Sequence, residues 1–334
     1  MENNNEIQSL IDYVLNKLKE NTEWEERYAR YIDYIKKKYE QGIQPTKDIP
    51  EWLSLYTSIS RRDGKSYDLR FKGQSIGELI YKRDKIILKP RTNLKKYFGI
   101  DIPKEEMEWD KAKDFCELFK NLNDKTNKKG LKSPEHLLES MLLKEFAKQT
   151  RAEKKVLPNI QPVKLYDSFF QMPTPLKASN KELKYSGPYS GGIDILARVT
   201  TKHNGHQLCI IEVKDENENK EPQSIAMKQA LVYATFIAKL LRSKSGQLWY
   251  DFFMNRFKRP AKKGFVPEEL HLNVVTIMPE GNTEELSNLP VYLPEVSPKH
   301  TTILHCYSLY FKKDDFEKEL LGLLPSFFID QLRP

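Results

Sequence analysis

The chain has 334 residues, with 55 Lys and Arg against 47 Asp and Glu, a formal net charge of +8 and a pI near 9.0. Its hydrophobic fraction of 39% excludes wholesale disorder, and its basic surplus attracts polyanions such as nucleic acid or an acidic membrane surface. The three cysteines, Cys116, Cys209 and Cys306, are far apart and form no CxxC pair, which excludes a disulfide framework and a structural zinc site. The polar start MENNNEIQSL and the lack of any run of about 18 apolar residues predict a cytoplasmic chain with no signal peptide or membrane partner.

Residues 6–42 predict two helices, the first through Ile7, Leu10, Ile11, Val14, Leu15 and Leu18, the second through Tyr28, Tyr31, Ile32 and Ile35. Gly42 is a natural stop, and the tyrosines suit either a core or a base-stacking surface. Residues 66–100 alternate β-branched and aromatic residues with charges and predict strands, with a tight turn at Arg83-Asp84. A helix around Trp109 to Phe119 leads into the Lys-rich stretch NLNDKTNKKGLKS, which reads as a linker. The division expected is an N-terminal α+β region at 1–130 and a second domain at 131–334. The first serves recognition, regulation, or contact with a partner protein or a second copy of the chain.

The second part opens with a helix over SPEHLLESMLLKEFAKQ, with Ser133 as N-cap and an apolar face of Leu138, Met141, Leu142 and Phe146. A strand is expected at 166–173, then GGIDILARV, QLCIIEVKD, a helix around SIAMKQALVYATFIAKLL, strands at 272–279 and 302–311, and a C-terminal helix in FEKELLGLLPSFF. This order predicts an α/β fold with a mixed sheet flanked by helices.

Chemistry concentrates between 191 and 233. Asp194 follows two glycines in its strand, and Glu212 and Lys214 share one face of the next by the period of two. Asn204-Gly205 between them is a hairpin signal. Charges at the end of an apolar strand must meet each other, solvent or a metal. Asp194 and Glu212 suit a hard cation such as Mg²⁺, with Mn²⁺ a possible substitute and the Val213 backbone carbonyl a further ligand. Lys214 is then placed to act on the attacking water or to neutralise developing charge.

GGID with EVK resembles the PD-(D/E)xK, restriction-endonuclease-like nuclease superfamily over residues 133–311. Asp194 matches that family's first acidic residue, and Glu212 and Lys214 its E-x-K; Ile193 stands where the family usually has proline. Gln229 and Tyr233, four apart on the following helix, resemble the QxxxY motif of RecB-like nucleases and are implied to support the site. The resemblance also implies a metal-facing glutamate on the preceding helix, for which Glu139 is preferred to Glu135. It implies metal-dependent hydrolysis of phosphodiesters in nucleic acid, DNA before RNA, in phage defence, restriction or repair; the alternative is a binding module of the same fold without turnover.

Outside the constellation, Arg256, Lys258, Arg259, Lys262 and Lys263 form a basic stretch suited to phosphates. His203 and His206 read as turn residues before metal ligands, and DENENKEPQ, with Asp215 and Glu216, as a solvated loop at the mouth of the site.

Overall fold

The computed structural model describes residues 2–43, 48–57, 66–124, 134–148, 159–179, 182–187, 191–201, 205–214, 221–257, 264–279, 290–294 and 299–311. Two amphipathic helices come first, α1 (Glu2–Glu20) and α2 (Glu23–Glu40), and Gly42 ends the second at φ +63, where a side chain is strained. Strands β1 (Leu53–Thr57), β2 (Ser66–Phe71), β3 (Gln74–Lys82) and β4 (Lys85–Pro90) follow. The expected turn between β3 and β4 is there, with Arg83 and Asp84 at φ +50 and +60, the left-handed pair a two-residue hairpin loop requires. Next come α3 (Leu94–Phe98), β5 (Met107–Glu108), α4 (Lys113–Asp124) and α5 (Pro134–Ala147).

Short strands succeed them: β6 (Ile160–Pro162), β7 (Lys164–Leu165), β8 (Ser168–Phe170), β9 (Pro173–Thr174), β10 (Leu176–Ser179), β11 (Glu182–Tyr185) and β12 (Gly191–Gly192). Then come β13 (Ile195–Thr201), β14 (Gly205–Val213), α6 (Gln223–Leu241), α7 (Gly246–Phe253), β15 (Glu269–Pro279), β16 (Val291–Leu293) and β17 (Thr301–Phe311). Ser133 and the C-terminal segment 312–334 lie outside the described residues.

The chain forms two compact units. One, the mixed-sheet unit, takes residues 1–32, 142–163 and 171–334; the other, the meander unit, takes 33–141 and 164–170. This differs from a sequential division at 130, and packing explains why. Trp24 and Tyr28 are fully buried, Phe236 lies 5.7 and 5.0 Å from their rings, and the Tyr28 hydroxyl donates to Pro173 O at 2.7 Å. Tyr28 and Tyr31 are therefore core, and α1 with the first half of α2 belongs with α6.

The meander unit is a seven-stranded sheet in the order β5-β4-β3-β2-β1-β8-β7. The segment expected as a strand at 166–173 joins here, β8 running parallel to β1 through Tyr56↔Phe169 and Thr57↔Phe170. It covers an edge whose five residues are all buried, an edge that would otherwise invite pairing with another chain. Leu69, Phe71, Leu79, Leu88, Phe115 and Phe119 form its apolar core.

The mixed-sheet unit is α/β. Its six strands run β16-β17-β15-β14-β13-β6, with β14, β15 and β17 parallel and the others antiparallel to their neighbours. Parallel β14 and β15 need a crossover, and α6 supplies it, packing against the sheet and against α1. Among the described residues α6 is the one helix long and apolar enough to cross a membrane, but it is a core helix, apolar nearly all round because it is covered nearly all round.

Candidate active site

The site is built where β13 begins and β14 ends. Their ladder ends on the pair Ile195 and Ile211, which leaves Asp194 and Glu212 as the next residues outward on the two chains. Lys214 N–H donates to Ile277 O at 2.8 Å, which extends the β14–β15 ladder by one step and keeps Lys214 on the face of Glu212. Val213 points the other way and is fully buried, as the alternation predicts.

The approach to Asp194 is fixed by its glycines. β12 pairs with β9, and a Cβ on Gly191 would stand 2.3 Å from Leu176 O, so no side chain fits there. Asp194 is then held by its own neighbour strand: the Val213 N–H donates to Asp194 Oδ2 at 2.9 Å. The part of Val213 that the structure brings to Asp194 is thus its amide, on the residue whose carbonyl was expected as a ligand.

Glu212 is 5% exposed, and Lys214 Nζ donates to its Oε1 at 2.9 Å. The same ammonium lies 3.4 Å from Glu221 Oε2, and Gln229 Nε2 donates to Glu221 Oε1 at 3.2 Å. A continuous polar chain therefore runs Glu212–Lys214–Glu221–Gln229 and ties the end of β14 to the first half of α6. Tyr233, one turn on, donates to Ala178 O at 3.3 Å. Burial pushes its hydroxyl well above its ordinary range, and the charges of Glu212 and Asp194 push it the same way. Tyr233 stays a donor beside the carboxylates.

Glu221 was not singled out by sequence. It sits in the run DENENKEPQ, which composition reads as solvated; the available signal was its place directly before Pro222, eight residues ahead of Gln229. Glu135 and Glu139 fall in the meander unit's share of α5, a helix that the division crosses after Met141. Glu139 is buried, with His136 Nδ1 3.1 Å from its Oε1, and that hydrogen bond raises the His136 imidazole above its usual range.

Of the basic stretch, Arg256 is the position described, and it is half-buried. It donates from Nη1 to Gly264 O at 2.8 Å, with its guanidinium 4.9 Å from the Tyr250 ring. Lys258, Arg259, Lys262, Lys263, His203, Asp215 and Glu216 lie outside the described residues. His206 Nδ1 is 3.1 Å from Thr200 Oγ1, across the hairpin that Gly205 closes at φ +72.

Comparison of the chain with protein-family models, with curated proteins and with solved structures finds no match.

Proposed function

We propose that this chain is a divalent-metal-dependent nuclease whose working groups are Asp194, Glu212 and Lys214, with Glu221, Gln229 and Tyr233 positioning them. The observation that carries the reading is the Asp194 carboxylate held by the Val213 N–H, directly beside Glu212, with the Lys214 ammonium against Glu212. The element order supports it: α5, then β6, the β13–β14 hairpin, the α6 crossover and parallel β15 follow the sequence that the PD-(D/E)xK resemblance calls for.

The donor set fits a hard cation. Each carboxylate offers two oxygens with about four lone-pair directions, the oxygen chemistry that a hard cation takes as ligands. Mg²⁺ held there would lower the pKa of a bound water and polarise a phosphoryl oxygen. The chain's own residues do the remainder. Val213 N–H fixes the Asp194 carboxylate, so little reorganisation is needed on binding. Glu212 and Glu221 aim the Lys214 ammonium, a positive charge for the oxygens of the scissile phosphate. Gln229 holds Glu221 in place through a donor that does not titrate.

The test is incubation of the full chain with plasmid, single-stranded DNA, duplex oligonucleotide and RNA, in Mg²⁺, in Mn²⁺ and in chelator. Cleavage that requires the metal is expected. A pure, folded chain that leaves every substrate intact in both metals while retaining them in a binding assay would instead select a module without turnover.

A further inference from the structure

The opposite end of the same two strands carries an unusual arrangement of cations. Arg198 lies on β13, between Gln161 of β6 and Leu208 of β14, and is 8% exposed. Among the described residues its hydrogen bond is one long contact from Nη2 to Gln161 Oε1, 3.4 Å, and its buried Nε has no partner. A buried guanidinium without a carboxylate is costly, and an anion supplied from outside the chain would offset that cost.

Two further groups stand in this corner. His206 is diagonal to Arg198 across the β13–β14 ladder, bonded to Thr200. Burial lowers its imidazole from the ordinary range, and the charges of both Arg198 and Arg256 lower it further. Arg256 is bonded to a neutral carbonyl and lies over a neutral ring, and no ion pair to either guanidinium is present among the described residues.

Next to Arg256 is the most exposed large apolar side chain described. Phe265 is 82% exposed, yet its backbone is pinned on both sides. Gly264 O accepts from Gln247 Nε2 at 2.9 Å and from Arg256 Nη1, and Val266 N–H donates to Gln247 Oε1 at 3.2 Å. A Cβ on Gly264 would meet the Arg256 guanidinium at 2.1 Å, so the glycine makes room for the cation. An aromatic ring held outward from an anchored backbone is a stacking platform, and every base offers it a π-face.

We propose that Arg198, Arg256 and Phe265 form a nucleotide-holding corner for single-stranded nucleic acid, the guanidiniums taking a backbone phosphate and the Phe265 ring stacking on a base. This rests on the nuclease reading and extends it to the class of substrate. His206 and Glu212 are six residues apart on β14, about 20 Å at ~3.3 Å per residue. A strand stacked as in a duplex, at ~3.4 Å per nucleotide, would reach both ends with about six nucleotides, and a more extended one with fewer.

The test is binding of fluorescein-labelled single-stranded DNA and RNA of about 20 nucleotides, longer than one such platform covers, followed by anisotropy in chelator at several salt concentrations. Chelator separates binding from turnover. Phe265→Ala is expected to weaken binding about tenfold, Phe265→Tyr to restore it and Phe265→Leu not to, because the ring face and not apolarity is what a base requires. Arg198→Met is expected to weaken binding about tenfold and to lower the salt slope by about one, while melting no lower than wild type, since it has no ion pair to lose. Wild-type binding that neither Phe265→Ala nor Arg198→Met changes overturns the corner and leaves the nuclease reading standing. Wild type that binds neither oligomer also overturns it, and metal-dependent cleavage of the same oligomers then decides the nuclease reading separately.

Discussion

The two sheets treat charge in opposite ways. In the meander unit, Asp68 collects its cations internally: Arg70 Nε donates to it at 2.6 Å, Arg91 Nη2 lies 3.6 Å away, and Ser75 donates from the side. The Arg70 guanidinium also lies 3.9 Å from the Tyr56 ring. In the mixed-sheet unit the charges gather at strand ends, carboxylates where β14 finishes and cations where it starts. A charge neutralised within its own sheet holds that sheet together. A guanidinium such as Arg198, with a single long polar contact at its end of the ladder, is available to something that comes and goes.

The hardest blow to this contrast is removal of residues 1–32. If the N-terminal helices were a separate recognition piece, the mixed sheet would survive. We expect it to collapse, because losing even Trp24 or Tyr28 costs about 3–5 kcal/mol against a whole-domain stability of roughly 5–15. Protease resistance of the 171–311 segment in the truncated chain reads this directly.

Next in size, Asp194→Asn and Glu212→Gln should each lower cleavage by on the order of a thousandfold, the equivalent of several kcal/mol, with thermal unfolding little changed. A melting temperature that falls in step with activity would make these carboxylates structural, like Asp68. The matching change in the other sheet, Asp68→Ala, should do the reverse. It strands Arg70 and should cost about 2–4 kcal/mol on a denaturant curve, with the rate per folded molecule retained.

The smallest expected effect is a pH slope. Burial first, and then the facing His271 ring, hold the His305 imidazole below its ordinary value. The unfolded chain therefore binds a proton that the folded chain refuses, and stability falls as pH drops through about 6.5 toward the folded value. His305→Asn should flatten that fall, seen as a smaller difference in melting temperature between mildly acidic and neutral buffer.

Much of this was legible in the sequence. The strands at 66–90 and their Arg83-Asp84 turn followed from local chemistry, and the antiparallel pairing of β13 with β14 followed from the Asn204-Gly205 signal. Partnership was not. Nothing in YDSFFQMP says that Phe169 will lie beside Tyr56, and nothing in the second helix says that Tyr28 will meet Phe236, because an apolar face specifies burial and not against what. Glu221 was hidden for a related reason: a run of charges reads as solvent-facing until Lys214 and Gln229 are seen to reach it. Arg198 did leave a trace, a lone cation in ILARV, a strand otherwise fit for the core.

The pairing of Tyr28 with Phe236 also sets a timetable for synthesis. The two residues are 208 positions apart (236 minus 28), so the first helices leave the ribosome long before their partner helix exists. At roughly 5–20 residues per second that delay is on the order of ten to forty seconds. Most of the meander unit is made during that wait, from local antiparallel pairings that close quickly. Throughout it Trp24 and Tyr28 present an apolar stripe with nothing to cover it. The nascent chain therefore carries an aggregation-prone stripe on α1 and α2 until α6 is made, and slower elongation between residues 32 and 236 would lengthen that exposure.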